Sequence, residues 1–140
     1  MQQYINFILD KPILFILFFL ILSLIIFLEV KKYTQKFKEI SPQEAVILLN
    51  NNAVLLDVRE DNELSNGTIK DSKHISCSAL SKNIDKIEQH KGESIIIFCK
   101  RGIRSSFAAN LLIKNDFSDV YSLKGGFDAW VEDNLPIFRK

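Results

Sequence analysis

The stretch SIIIFCKRGIRSSFAANLLIKN, residues 94–115, carries the pattern that decides the fold. It begins with an unbroken run of apolar, largely β-branched residues, which is typical of a strand buried on both faces. Cys99 ends this run, and from about Arg104 onward the spacing predicts a helix. The residues expected on one side of this helix are Phe107, Ala108, Leu111 and Leu112. A buried strand that turns directly into a helix is a building block of a parallel α/β sheet.

Similar units flank this stretch on both sides. AVLLDVRE (53–60) and DVYSL (119–123) are short apolar runs that predict two more buried strands. SPQEAVILLN (41–50) predicts a helix, and LSKNIDKIEQHKG (80–92) has apolar residues at the spacing of an amphipathic helix. Strands that alternate with helices predict one α/β domain over residues 39–138, with a mainly parallel central sheet flanked by helices on both faces.

An apolar segment precedes this domain. Residues 13–30 contain one charged residue and are hydrophobic on every side of a helix. At 1.5 Å per residue they would span about 27 Å, close to the thickness of a bilayer core, so we expect a transmembrane helix. A buried core helix and a cleaved signal peptide are the alternatives, and the latter would need small residues at a cleavage site. A short N-terminal segment (1–12) and a basic tether (31–38) complete the expected division of the chain.

Lysines around the apolar segment predict its orientation. Lys11 precedes the segment, whereas four lysines follow it: Lys31, Lys32, Lys36 and Lys38. Positively charged flanks stay on the cytoplasmic side of a membrane, so we expect the C-terminal domain to face the cytoplasm. The expected protein crosses the membrane once and contacts the lipid bilayer through residues 13–30.

Composition argues against two function classes. From Glu39 to the end of the chain there are 13 Lys and Arg and 15 Asp and Glu, a net charge of about −2. Such a domain has no broad basic surface, so a nucleic-acid partner is not expected. Cys77 and Cys99 are too few for a disulfide framework, and the spacings typical of Cys and His metal ligands are missing from the sequence. We therefore expect reduced thiols and no metal.

Cys99 is expected at the end of a strand, where parallel sheets bind their ligands. Ligands of α/β proteins bind beyond the carboxyl ends of the strands, and here a helix begins shortly after the strand end. Loop N–H groups, the helix N-terminus and Arg104 can all point at one anionic centre, which favours a thiolate over a thiol. Lys100 and Arg101 add cations that would attract an anionic substrate. A buried structural cysteine beside surface cations is the alternative interpretation.

The loop resembles the active-site loop of rhodanese-like sulfurtransferases, in which four residues separate a Cys from an Arg. LLDVRE (55–60) is similar to the first signature of that family. ELSNGTIKDSKHIS (63–76) is similar to the stretch that follows, although Thr68 stands where a His is common. VYSLKGGFDAW (120–130) resembles the C-terminal signature. The resemblance keeps its order and spacing from about residue 37 to residue 136, and it implies a rhodanese-like fold.

The resemblance also implies an activity and a set of roles. Cys99 would carry sulfur as a persulfide, taken from a small anionic donor such as thiosulfate and passed to a thiol or protein acceptor, without a metal or organic cofactor. Arg104 would be the second catalytic residue, at the end of the loop. Asp57 and Arg59 would give structural support. The residues implied to bind the substrate are Lys100, Arg101, Gly102 and Ile103.

Several alternatives stay open. Phosphatases and arsenate reductases of similar fold have five residues between Cys and Arg, which suits phosphate, whereas the four found here suit the smaller sulfur. A non-catalytic rhodanese-like module that binds a protein at the membrane is the competing function. Cys77 could be a resolving thiol or a small buried residue, and His74 could take part in proton transfer. A hydrophobic anchor before a single such domain is similar to membrane-anchored bacterial members, which implies a bacterial inner membrane.

Overall fold

The structure is a computed structural model that describes residues 1, 11–33 and 36–139. Two of the expected segments lie partly outside the described residues, namely the N-terminal segment 1–12 and the tether 31–38. The chain divides into two compact units, Met1–Gln35 and Lys36–Lys140.

In the first unit the structure describes a long helix, α1, which runs from Pro12 to Tyr33. Within it, Pro12–Val30 is long and apolar enough to cross a membrane by length and composition. A signal sequence would pass the same test, so a helix is confirmed over the predicted segment 13–30, while the membrane crossing remains a prediction.

The second unit is built on a parallel sheet of five strands. They are β1 (Lys38–Ile40), β2 (Val54–Asp57), β3 (Lys73–His74), β4 (Ser94–Phe98) and β5 (Asp119–Leu123). Their order across the sheet is β1-β5-β4-β2-β3, and all four ladders are parallel. The predicted fold class is confirmed, and the strand that precedes Cys99 is the central one.

The helices of this unit lie between or after the strands along the chain. They are α2 (Pro42–Asn50), α3 (Cys77–Leu80), α4 (Ile103–Lys114) and α5 (Gly126–Glu132), with 3-10 segments at Asp61–Asn66 and Ile84–His90. The start of α2 is determined locally, because the Ser41 hydroxyl accepts from the Glu44 N–H and the Glu44 carboxylate accepts from the Ser41 N–H at 2.7 Å.

Residues of β4 alternate between two hydrophobic cores. Ile95, Ile97 and Cys99 contribute to the core beneath α4, whereas Ile96 and Phe98 contribute to the core beneath α2 and α5. Successive side chains of a strand point to opposite faces, so a strand covered on both sides must be apolar throughout. The unbroken run that ends at Cys99 is the result.

Three local predictions differ from the structure. Lys38 was expected in the tether but pairs with Tyr121 in the sheet. The amphipathic helix expected over residues 80–92 is instead the short α3 followed by a 3-10 segment. Phe107 was expected on the same side of the helix as Ala108 and Leu112, yet it is 64% exposed whereas those two residues are fully buried.

The exposure of Phe107 has a geometric reason. The buried residues of α4 are Ser105, Ala108, Ala109 and Leu112. At about 100° per residue these four share one face, and Phe107 lies roughly opposite them. Mostly small residues therefore face the sheet and let the helix approach it closely, while the large aromatic ring points away.

Asp57 and Arg59 form an ion pair inside the core beneath α5. The two side chains are 0% and 1% exposed, and Arg59 Nη2 lies 2.7 Å from Asp57 Oδ2. The guanidinium also donates to the Gly67 carbonyl and lies 4.2 Å from the centre of the Phe127 ring. A buried charge needs such partners to be tolerated. Their location on the face opposite Cys99 supports the predicted structural role of both residues.

Candidate active site

Cys99 is the first residue after β4, on the face covered by α4, and only 1% of the residue is exposed. The N–H of Gly102 donates to its Sγ atom at 3.0 Å. A backbone N–H aimed at this position also suits an anionic group bound there. Loop N–H groups were expected to point at the sulfur, and the Gly102 N–H does so.

Gly102 shapes the loop and starts the helix. Its φ of +98° lies in the left-handed region, and a Cβ at this position would come within 3.3 Å of the Gly125 backbone nitrogen. The Ser105 hydroxyl lies 2.9 Å from the Gly102 carbonyl oxygen and 3.7 Å from Cys99 Sγ. Ser105 is fully buried and touches the Ser122 hydroxyl at 2.9 Å. Ser105 was not among the predicted site residues, although it directly follows Arg104.

Backbone N–H groups at the start of α5 donate hydrogen bonds to the cysteine loop. Phe127 N–H donates to the Cys99 carbonyl oxygen at 2.7 Å, and Asp128 N–H donates to the Lys100 carbonyl oxygen at 3.0 Å. The backbone comes so close that a Cβ on Gly126 would lie 2.3 Å from the Cys99 carbonyl oxygen. The two glycines of the KGGF stretch, Gly125 and Gly126, thus form a turn that packs directly against the backbone of the cysteine loop.

Arg104 makes a two-pronged ion pair with Glu63. Arg104 Nη1 lies 2.6 Å from Glu63 Oε2, and Nη2 lies 2.7 Å from Oε1. The hydrogen bonds from Arg104 lower the pKa of Glu63 to about 2, although its partial burial opposes this. The same bonds raise the pKa of Arg104 above its ordinary value. Glu63 was not predicted as a site residue, because nothing in the local sequence links it to an arginine 41 positions away.

This ion pair changes the expected behaviour of Arg104. Two of its guanidinium nitrogens are already engaged by a carboxylate, so they are not free to grip an anionic donor. The charge attraction between Arg104 and Cys99 nevertheless adds to the raised pKa of Arg104. Arg104 therefore anchors the first turn of α4 to the Asp61–Asn66 segment and keeps a cation near the sulfur.

The remaining loop side chains point outward. Lys100 is exposed, the Arg101 side chain is 76% exposed, and Ile103 is 80% exposed. Arg101 Nε lies 3.7 Å from Asp128 Oδ2, so part of its charge is balanced. Of the four residues expected to bind substrate, Gly102 is the one that donates a hydrogen bond to Cys99 Sγ.

Cys77 and His74 have different surroundings. Cys77 is half-buried at the start of α3, with its Sγ 4.0 Å from the Arg104 carbonyl oxygen, and burial raises the pKa of its thiol. His74 Nε2 lies 2.7 Å from the Arg59 carbonyl oxygen. The ring of His74 is thus engaged with the backbone that follows β2.

The fold and this loop define the class of protein. Residues 41–133 match the Rhodanese-like domain family. The chain belongs to that family, as its three motifs suggested.

Curated relatives agree with this assignment. Thiosulfate sulfurtransferase GlpE of Actinobacillus pleuropneumoniae serotype 7 is 33% identical over 74% of this chain and 95% of its own length. The GlpE of Glaesserella parasuis is 35% identical over 74% of this chain and 94% of its own length. YibN of Escherichia coli K12, an uncharacterised protein, is 32% identical over 99% of both chains, so that alignment includes the apolar segment.

Solved structures of the family share the fold. The polysulfide-sulfur transferase homodimer of Wolinella succinogenes has a TM-score of 0.67 and 29% identity, covering 84% of this chain and 90% of its own. A rhodanese-related protein of Thermoplasma volcanium has a TM-score of 0.68 and 25% identity, covering 74% of this chain and all of its own. Together with the curated relatives, these similarities support a sulfurtransferase.

Gly126→Ala should disrupt the turn that packs against the cysteine loop. The new Cβ would collide with the Cys99 carbonyl oxygen at a backbone φ of +61°. We expect the free energy of unfolding to fall by at least about 2 kcal/mol, measured by urea denaturation.

Gly92→Ala is the matched control, because a Cβ there meets nothing within 4 Å. Its free energy of unfolding should change by less than about 1 kcal/mol. Equal stability of the two variants would contradict the role assigned to the Gly126 turn.

Glu63→Gln should lower stability in a pH-dependent way. The folded-state pKa of Glu63, about 2, lies below its ordinary value of 4.5. Its ion pair therefore stabilises the fold fully above about pH 5, and this contribution is lost as the pH falls toward 2. We expect the variant to be about 1–2 kcal/mol less stable than wild type at pH 7 and nearly equal to it near pH 2, measured by urea denaturation across this range.

Glu88→Gln controls for the loss of any paired carboxylate. Glu88 is exposed and pairs with Lys91 at 2.8 Å, so its removal should change stability much less at every pH. A difference between Glu63→Gln and wild type that stayed constant down to pH 2 would show that the Glu63 charge is not the cause.

Proposed function

We propose that this protein is a membrane-anchored sulfurtransferase that carries sulfur as a persulfide on Cys99. The observation that carries the proposal is the geometry of the sulfur, which lies at the carboxyl end of the central strand and accepts the Gly102 N–H at 3.0 Å. Membership of a family with thiosulfate sulfurtransferases supports the same chemistry. The substrate class and residue roles below are part of this proposal.

The first half-reaction loads the cysteine. The Cys99 thiolate attacks the outer sulfur of thiosulfate, a new bond forms between Sγ and that sulfur, and the S–S bond of thiosulfate breaks. Sulfite leaves with the electron pair, and Cys99 holds one additional sulfur. The Gly102 N–H donates to Sγ and so holds the nucleophile in place for the attack.

The second half-reaction unloads the sulfur. A thiolate acceptor, or cyanide in an assay, attacks the outer sulfur of the persulfide and forms a bond to it. The bond between this sulfur and Sγ breaks, and Cys99 returns as a thiolate. Because sulfite leaves before the acceptor reacts, the kinetics should be of the ping-pong type.

Each charged group of the loop has a proposed part in this cycle. Lys100 and Arg101 are exposed at the loop and attract the anionic donor through their charge. Arg104 positions the loop through Glu63 and adds a positive charge near the thiolate. Asp57 and Arg59 support the opposite face of the sheet and take no direct part.

The anchor and its orientation form the second element of the proposal. Helix α1 has the length and composition of a membrane span, and four lysines follow its apolar part. A bacterial inner-membrane protein with this charge distribution exposes residues 39–138 to the cytoplasm. The thiols would then lie in a reducing compartment, where Cys99 stays available for sulfur transfer.

Cys99→Ser tests the enzyme directly. The wild-type protein should convert thiosulfate and cyanide to sulfite and thiocyanate, and mass spectrometry should find one additional sulfur atom on the peptide that contains Cys99. The variant should lose both signals, because a serine hydroxyl cannot form a persulfide.

Lys114→Ala provides a control, since this lysine lies at the far end of α4 and should leave turnover unchanged. A wild-type protein that neither turns over nor gains sulfur from any donor would leave the non-catalytic, protein-binding module as the better explanation.

Protease protection tests the anchor and its orientation. In intact spheroplasts the domain should resist externally added trypsin, and it should be digested once the membrane is permeabilised. Lys31→Gln/Lys32→Gln should weaken this protection, because it removes two of the flanking charges. Digestion of the wild-type domain in intact spheroplasts would contradict the orientation, and a soluble, shortened protein would indicate a cleaved signal peptide.

A further inference from the structure

Cys77 and Cys99 both lie against one turn of backbone at the active-site loop. Cys99 Sγ is 3.0 Å from the Gly102 nitrogen and 3.7 Å from Ser105 Oγ. Cys77 Sγ is 4.0 Å from the Arg104 carbonyl oxygen, within that same turn. Both side chains contribute to the core on the α4 face of the sheet. The tertiary structure thus gathers both cysteines of the sequence at one place.

The two thiols differ in access to solvent. Cys99 is 1% exposed, whereas Cys77 is half-buried. A small donor such as thiosulfate needs little room to reach a recessed sulfur, but a bulky protein thiol needs more. A large acceptor would therefore reach the sulfur more easily on a second carrier nearer the surface.

The distance between the backbones of Cys77 and Cys99 distinguishes two possible reactions, namely formation of a disulfide and transfer of a sulfur atom. Cys77 N–H donates to the Val58 carbonyl oxygen, and Val58 N–H donates to the Phe98 carbonyl oxygen. The backbone at Val58 thus lies between the two cysteines, and at about 4.8 Å per neighbouring chain their backbones are on the order of 10 Å apart. A disulfide needs Cα atoms within about 7 Å, so a direct bond would require the backbone to move. A persulfide extends about 2 Å beyond Sγ and shortens the gap.

We propose that Cys77 is a second sulfur carrier, which takes the sulfane sulfur from Cys99 and presents it to an external protein thiol. The proposal rests on the proposed function, since Cys99 must be loaded first. The Cys77 thiolate attacks the outer sulfur of the protonated Cys99 persulfide and forms a bond to it. The bond from this sulfur to Cys99 Sγ breaks, and Cys99 leaves as a thiolate that the Gly102 N–H stabilises. One sulfur changes place, and no oxidant or reductant is consumed.

The charges around Cys77 predict how this transfer depends on pH. Burial raises the pKa of Cys77, the Glu60 carboxylate and Cys99 add to the rise, and Arg104 opposes it. The reactive thiolate is therefore a small fraction near neutral pH, and it increases about tenfold for each pH unit below the pKa. Over the pH range in which the Cys99 persulfide stays protonated, the transfer rate should therefore increase with pH.

Peptide mapping tests the relay in the full-length protein in detergent. The protein is loaded with thiosulfate without added thiols, quenched with an alkylating reagent at successive times, and digested with trypsin. Cleavage after lysine separates residues 74–82, which contain Cys77, from residues 92–100, which contain Cys99. The additional sulfur should appear first on the Cys99 peptide and later on the Cys77 peptide, at a rate independent of protein concentration.

Two variants control this experiment. In Cys99→Ser the Cys77 peptide should gain no sulfur, because thiosulfate does not load Cys77 directly. In Cys77→Ser the Cys99 peptide should keep its sulfur longer than in wild type. Sulfur on Cys77 in the Cys99→Ser protein would overturn the relay.

A mixing experiment distinguishes transfer within one chain from transfer between chains. Isotope-labelled Cys99→Ser is combined with unlabelled Cys77→Ser, and the mixture is loaded with thiosulfate. The labelled Cys77 peptide should stay free of additional sulfur, and its modification would contradict an intramolecular step.

The outcomes also separate the relay from the proposed function. Sulfur that reaches Cys99 but never Cys77 would overturn the relay and leave the sulfurtransferase intact. Sulfur on neither cysteine would overturn both.

Discussion

The hydrogen bonds from the start of α5 to the carbonyl oxygens of Cys99 and Lys100 are the constraint on which the rest of the site depends. They bring two stretches of backbone so close that Gly126 has no room for a side chain. With those carbonyls held, the loop can turn through Gly102 and direct one N–H at Cys99 Sγ. A glycine turn near the end of the chain therefore determines the surroundings of a sulfur atom on the central strand.

Charge is divided between two locations with different physical roles. Arg59 and Asp57 are buried together, and Arg59 also stacks on Phe127, so this pair joins the end of β2 to α5. Arg104 and Glu63 are only partly buried, and their pair joins α4 to the 3-10 segment beside the loop. In both cases an arginine is satisfied by a carboxylate. Under the proposed function, the exposed Lys100 and Arg101 of the loop attract the anionic donor.

Burial of Cys99 restricts the access of large acceptors to its sulfur, whereas Cys77 lies closer to the surface. A nearly inaccessible Cys99 is protected from solvent, yet under the proposed function an acceptor thiol must still receive its sulfur. Cys77 lies closer to the surface, against the same helical turn, and burial raises the pKa of its thiol. A carrier with these properties would accept sulfur slowly and only from a loaded neighbour.

The sequence by itself determined the parallel α/β class, the strand that ends at Cys99 and the family, because apolar runs and loop spacing are local properties. The tertiary structure decided the partner of Arg104, the outward side of Phe107 and the approach of Cys77 to the loop. These depend on which distant segments meet and on the face that a close-packed helix turns to its sheet. Glu63 shows the difference most clearly, since its role follows from a contact across 41 residues that no local pattern encodes.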